Sequence, residues 1–301
     1  KDKSAGASAA LPDTSRPKGV ASHVDCAHAS MTVITDAPLP VTENILPSEQ
    51  KLPKMGKAEF TRVLKNLARE LEVDLAGIAP ADRLDKISKE LSKHYAGQTV
   101  LNAHNKADIF QPCDPVVSED KLEIFSTADH LKGAKSVLVL GLPMPRGTME
   151  NVAVTAAEAL GPYAFVAYET AWRGAVVALN LVRFLERQGH RATWTFDLFG
   201  TGSYTASSRG EIPDIFCNSL PAVAAGLARL NKCGVAVNPE HGSNMRYLAI
   251  VTDADLAADR VMPDGVIEDL CSKCQDKCVK ACSNGAFGNE VSVSVEGVVE
   301  K

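Results

Sequence analysis

Four cysteines fall within twelve residues, in the run Cys271-Ser-Lys-Cys274-Gln-Asp-Lys-Cys278-Val-Lys-Ala-Cys282, and they are half of the chain's eight. Thiolates this close on a loop running into a helical turn can converge on one soft centre. Their spacing approaches C-x2-C-x2-C-x3-C-P, which ligates iron–sulfur clusters. It departs in two places: three residues rather than two separate Cys274 from Cys278, and Ser283 stands where proline is usual. Other chemistries stay open. A structural zinc site usually takes a second C-x2-C knuckle at a distance, and the segment offers none. Disulfides suit small secreted scaffolds, whereas this chain is long enough to bury a core. Unligated buried thiols suit the segment least, because Lys273, Lys277 and Lys280 interleave with the cysteines. The pattern predicts an iron–sulfur cluster on Cys271, Cys274, Cys278 and Cys282, and with it a role in moving electrons.

The rest of the composition is that of a globular protein: 301 residues, 45% hydrophobic and 23% charged. That is enough for one large domain or a domain with an appendage. The longest apolar runs, such as Ser136-Val-Leu-Val-Leu-Gly-Leu-Pro143, are strand length and far short of the ~20 residues that cross a bilayer. A net charge of -5, with no basic stripe of interleaved aromatics, argues against nucleic acid as the main partner. Residues 1–52 are rich in Ser, Ala, Pro and Lys without a sustained period and read as an extended arm. His23, Cys26 and His28 in that arm are spaced as a metal would allow, though scattered polar residues are commonly only that. With Lys1 as first residue, the expectation is a processed or trimmed chain, any targeting signal lying upstream.

Past the arm, Phe60, Val63, Leu64, Leu67 and Leu71 recur at helical spacing, and Asp74–Pro80 follows as a short buried strand. Residues 81–130 are polar and read as an irregular, lid-like excursion containing His104 and Cys113. A strand over 137–142 comes next, then a loop through Pro143 and Pro145, then a long helix from about Tyr168 to Gly189, where glycine can cap it. A strand over 191–196, a Gly/Ser/Tyr loop at 200–210, a helix from Ser219 with Pro221 in its first turn, and strands at 234–237 and 247–252 close the core. Helices alternating with buried strands predict a layered α/β or α+β core with a cysteine-bearing appendage.

The order of these residues resembles a known family. The run from Gly189-His-Arg-Ala, through Ala224-Ala-Gly-Leu-Ala and Asn238-Pro-Glu-His-Gly-Ser243, to Tyr247-Leu-Ala-Ile-Val-Thr-Asp253 and the cysteine motif is similar to the corrinoid-dependent iron–sulfur reductases. These are the reductive dehalogenases and epoxyqueuosine reductases, and the likeness covers roughly residues 57–290. Val73-Asp-Leu-Ala-Gly-Ile78 after a helix is similar to the dehalogenase branch. The resemblance implies a nitroreductase-like sandwich (53–262) holding a base-off corrinoid, and a ferredoxin-like segment (263–301) with a [4Fe–4S] cluster. Nineteen residues follow Cys282, without the family's second cysteine stretch, so Cys282 either completes a single cluster or waits for ligands not included, and Val295-Glu-Gly-Val-Val-Glu-Lys301 is expected to be an internal segment cut short.

By the same resemblance, Pro239, Glu240, His241, Gly242 and Ser243 approach the macrocycle, the alternative being an ordinary turn between strands. Tyr168 matches by position the family's proton donor, with Lys232 or Arg246 as the cation that stabilises developing negative charge; Tyr204 is the next candidate donor. The implied reaction is reductive dehalogenation of a small organohalide, with an electron-donor protein or membrane anchor as partner. Alternatives are an epoxyqueuosine-reductase-like enzyme acting on tRNA and a non-catalytic corrinoid or electron-transfer module. A dehalogenase-like chain would be exported and membrane-associated with its signal removed; otherwise it would be cytoplasmic.

Overall fold

In the computed structural model, residues 51–105, 115–151, 160–202, 204–207, 210–213, 217–266, 271–282, 285 and 293–300 are described. The metal-spaced residues His23, Cys26 and His28, and also Cys113, lie outside the described residues.

The first helix among the described residues is α1 (Lys57–Glu70), whose buried face carries Phe60, Leu64, Leu67 and Ala68. Strand β1 (Leu75–Pro80) follows. Helix α2 (Ala81–Tyr95) and the hairpin β2 (Thr99–Asn105)–β3 (Pro115–Lys121) occupy the stretch read as irregular. That reading fails because α2 is held by few apolar positions. Leu84, Ile87 and Leu91 recur at three- and four-residue spacing and are all buried, while charged side chains fill the outer face.

A single turn α3 (Thr127–His130), capped reciprocally by Ser126 and Asp129, leads into β4 (Ser136–Pro143). Then come α4 (Arg146–Asn151) and the long helix α5 (Leu160–Arg187), which starts earlier than its apolar spacing predicts. Next are β5 (Ala192–Thr195), the hairpin β6 (Tyr204–Ser207)–β7 (Gly210–Pro213), and α6 (Ser219–Ala224). The small hairpin β8 (Arg229–Leu230)–β9 (Ala236–Val237) precedes β10 (Met245–Thr252). The cysteine segment contains the short helix α7 (Lys277–Ala281), and the last described element is the hairpin β11 (Val293–Val295)–β12 (Val298–Glu300).

The main sheet has the order β1-β4-β10-β5 and every pairing is antiparallel. The fold is thus mixed α/β with an antiparallel sheet. Residues 234–237 do not join it as the sequence suggests, because β9 pairs with β8 in a separate hairpin. Every residue of β10 is buried, so alternate side chains feed two different layers. Met245, Tyr247, Ala249 and Val251 pack with α2 and α6 residues such as Leu84, Ile87, Ala222 and Val223. On the other face, a side chain at Gly174 of α5 would come within 2.5 Å of Leu248 Cδ1, so α5 lies directly on the strand there. Val293, Val295 and Val298 of the last hairpin belong to the first of these layers. Glu296, in its turn, pairs with Arg83 and Lys86 of α2.

Asn218 ties the layers together. It is buried, lies in the left-handed region at φ 59°, and precedes α6. Its Oδ1 accepts from Leu198 N–H at 2.9 Å, and its Nδ2 donates to the carbonyls of Thr195 (3.1 Å) and Tyr247 (3.3 Å). Replacing it with alanine strands a buried N–H and places a Cβ residue with no compensating bond at positive φ. Asn218→Ala should therefore lose about 2–4 kcal/mol, read as a fall in denaturant midpoint at constant m-value; a loss under about 0.5 kcal/mol would remove this residue from the tie.

The hydrogen bonds from Lys86 and then Arg83 hold the Glu296 carboxyl below its usual range. A depressed carboxylate stabilises the fold above its ordinary value and loses that contribution as pH falls through the lower folded value. Because Glu296 is 40% exposed, the effect should stay under about 1 kcal/mol. The stability difference between the parent and Glu296→Gln should accordingly shrink between about pH 5 and pH 3.

Candidate functional site

The cysteine segment is built from turns. Residues 271–276 form successive turns and α7 follows, with Cys271, Cys274, Cys278 and Cys282 all half-buried and none in a disulfide. Gln275 and Asp276 both lie in the left-handed region at φ 56°, inside the longer gap between Cys274 and Cys278. Asp276 is held there by the Lys280 N–H on its carbonyl (3.0 Å) and by Lys232 Nζ 3.6 Å from its carboxylate. Among the described residues, no three His, Cys, Asp or Glu side chains close on a single metal ion.

The β8–β9 hairpin touches this segment. Its loop, Asn231–Val235, is organised by the Asn231 side chain, whose Oδ1 accepts from the backbone N–H of Cys233 (3.1 Å) and Val235 (3.0 Å) and from the Cys233 thiol (3.1 Å). The chain also closes between Asn231 N–H and the Val235 carbonyl at 3.0 Å, with Gly234 at φ 77° making the bend. From this loop Lys232 N–H donates to Cys271 Sγ at 3.4 Å. Such N–H to sulfur bonds are a lever on the potential of a thiolate-held cluster. Burial pushes the Cys233 thiol up, and the nearby thiols of Cys278 and Cys271 add to the rise. Cys233 is thus a fifth cysteine at this place. Motif spacing did not reveal it, because it lies far back in sequence; the run Asn231-Lys-Cys-Gly, a turn signal enclosing a thiol, was the available sign.

The expected corrinoid-facing residues form a tight turn. Asn238 and Gly242 exchange both backbone hydrogen bonds at 2.9 Å, and Asn238 Oδ1 accepts from Glu240 and His241 N–H. Gly242 sits at φ 64°, and a Cβ there would meet nothing within 4 Å. Glycine is needed there for its backbone angle, and the space beside it is open. Pro239, Glu240 and Ser243 are exposed.

The three residues expected around the proton donor divide between two places. Lys232 is exposed and paired with Asp276 in the cysteine segment. Arg246 is buried on the face of β10 that α5 covers, two residues before Leu248. α5 and β10 run the same way, since the end of β10 and the stretch after α5 meet through Asp253 N–H on the Arg191 carbonyl. From the Gly174–Leu248 crossing, Arg246 lies ~7 Å back along the strand and Tyr168 ~9 Å back along the helix. Tyr168 and Arg246, both buried, therefore share one end of the α5 layer. The Tyr168 ring lies 6.1 Å from Trp172. The side chain of Tyr204 lies outside the described residues. Tyr247, on the opposite face, has a buried hydroxyl with no partner among the described residues, and burial pushes that phenol up.

Two cavities flank the sheet. One of about 300 Å³ lies over the α2–α6 layer, reaching Asp197, Asn218, Leu230 and Gly234 beside the loop that touches Cys271. The other, about 480 Å³, lies between the end of β4 and α5 and is lined by Glu72, Asp74, Glu169 and Arg173. Neither lining includes a thiol. The donor set of the cysteine segment, by contrast, fits a thiolate-held iron–sulfur cluster. No described helix is long and apolar enough to cross a membrane.

No protein-family model matches the chain. The chain is similar to the tetrachloroethene reductive dehalogenase of Sulfurospirillum multivorans, 25% identical over 234 residues that cover 76% of this chain and 40% of that protein. It is similar also to the enzyme of the same name from Desulfitobacterium hafniense, 28% identical over 250 residues, covering 78% and 40%. The chain spans about 40% of the length of these curated relatives. Among solved structures it is similar to a reductive dehalogenase described with B12-dependent dehalogenation, at TM-score 0.48 and 18% identity over 82% of this chain and 28% of that one. Epoxyqueuosine reductase from Bacillus subtilis gives 0.46 and 19%, over 80% and 55%. The resemblance read from the residues, with its lean to the dehalogenase branch, is the one these comparisons find.

Proposed function

We propose that this chain works in a corrinoid- and [4Fe–4S]-dependent reductase whose substrate is a small organohalide. The observation that carries the reading is the four-thiol segment with Lys232 N–H on Cys271 Sγ, set in a sequence similar to tetrachloroethene reductive dehalogenases. In this reading residues 1–52 are an arm, 53–262 the corrinoid-facing core, and 263–301 the cluster segment, supplied with electrons by a donor protein or membrane-anchored partner. The location follows the dehalogenases in being exported. A bound cluster supplies electrons one at a time.

The remaining work falls to the chain's own side chains. Replacing a carbon–halogen bond by carbon–hydrogen takes two electrons and one proton and releases halide. Tyr168 holds the proton on its hydroxyl and delivers it to that carbon. The Arg246 guanidinium, buried at the same end of the α5 layer, stabilises the negative charge left behind. Lys232, committed to Asp276, serves the cysteine segment instead. The net charge of -5 counts against tRNA as the substrate.

Anaerobic reconstitution with iron, sulfide and a corrinoid tests the reading. The chain should hold about four irons with broad visible absorption, bind cobalt in a form whose spin spectrum lacks splitting from a lower-base nitrogen, and release halide under a low-potential reductant. Stoichiometric zinc without iron would sink the cluster, and iron and cobalt binding without halide release would leave an electron-transfer module rather than a dehalogenase.

Tyr168→Phe separates the acid from a packing tyrosine. It should lower turnover by ~10²–10⁴-fold with iron and cobalt contents unchanged, whereas loss of a structural hydroxyl would change stability by about 1 kcal/mol and leave the rate alone. Halide release at the parent rate would exclude Tyr168 and direct attention to Tyr204.

A further inference from the structure

We propose that Cys233 is the fourth ligand of the cluster held by Cys271, Cys274 and Cys278, leaving Cys282 outside it. This rests on the iron–sulfur reading above and says which thiols carry it.

In two-cluster proteins the fourth cysteine of such a motif serves the other cluster, so three consecutive cysteines need a ligand from elsewhere in the chain. The β8–β9 loop is the segment this structure brings to them. Lys232 N–H lies 3.4 Å from Cys271 Sγ, and Lys232 Nζ lies 3.6 Å from the Asp276 carboxylate, so the loop is anchored at both sides of Cys274. Cys233 is the next residue along, is half-buried, and lies near enough to Cys271 and Cys278 for their charges to act on its thiol. Its position is set by Asn231, which holds the backbone N–H of Cys233 and its thiol on one oxygen. A thiol presented by a hairpin turn packed on α6 is a better-ordered ligand than one at the end of a five-residue helix. Cys282 follows α7 in just that way, with extended backbone at φ -75° and ψ 105°. On ligation the Cys233 thiol gives its proton to solvent, leaves Asn231 Oδ1 and bonds iron as the thiolate.

Cubane thiolates stand one per iron and so farther apart than ligands around a single ion. Spread over two segments, these four cysteines suit the first arrangement. The charges fit as well: Lys273 and Lys277 interleave with the cysteines and Lys232 is paired to Asp276 among them, beside a group that becomes strongly anionic once four thiolates are bound.

The test uses the full chain, reconstituted anaerobically with iron and sulfide. Cys282→Ser should keep about four irons, whereas Cys233→Ser should hold about three and, once oxidised, show the paramagnetic signal of a three-iron cluster that the oxidised four-iron form lacks. Retention of four irons by Cys233→Ser, or their loss from Cys282→Ser alone, overturns the assignment while leaving the cluster reading intact. A parent that takes up no iron overturns both. Should Cys233→Ser fail to fold, alkylation of the native reconstituted parent followed by peptide mass spectrometry decides. Cys233 should be protected with Cys271, Cys274 and Cys278 while Cys282 reacts, and the reverse pattern refutes the proposal.

Discussion

The antiparallel register between β4 and β10 is the constraint from which the rest of the architecture follows. Met245 to Thr252 pair in order with Pro143 back to Ser136, and every residue of β10 is buried. With period-two alternation, burial on both faces forces the strand to serve two unrelated layers. A slip of one residue would send Arg246 into the layer of Tyr247 and Leu248 away from α5. The register therefore fixes more than stability: it decides that Arg246 shares its side of the sheet with Tyr168, and that the β8–β9 hairpin and the cysteine segment lie over the other.

This two-sidedness explains which parts of the molecule were legible in the sequence. The strands 75–80, 136–143 and 245–252 announce themselves as apolar runs because they are covered above and below. α2 gives a weak signal for the opposite reason. Three apolar side chains suffice to seat it, so its charged outer face dominates the composition of residues 81–95. The last hairpin was obscure in a different way. Val293, Val295 and Val298 complete a core formed by residues distant in sequence, and no local pattern distinguishes such valines from those of an interrupted segment.

The site divides along the same line. A cysteine motif is legible because its members are neighbours in sequence. Cys233 joins them only through the hairpin, a relation that spacing cannot express. The Pro239–Ser243 turn was legible through its glycine, which takes a left-handed backbone angle closed by two reciprocal hydrogen bonds. Lys232 and Arg246 looked equivalent as nearby cations. The register and the loop separate them, one buried beneath α5 and one paired to Asp276.

The departure from two-residue spacing between Cys274 and Cys278 has a local physical basis. Gln275 and Asp276 occupy the left-handed region in succession, which costs residues with a Cβ about 1–2 kcal/mol each. Such a pair persists only where other bonds hold it. Here the bonds to Asp276 come from both directions, the Lys280 N–H from α7 and Lys232 from the hairpin. The same lysine's backbone N–H rests on Cys271 Sγ. One residue of the β8–β9 loop thus braces the strained turn by its side chain and the first cysteine by its backbone, so the longer gap and the nearby fifth thiol are two sides of one arrangement.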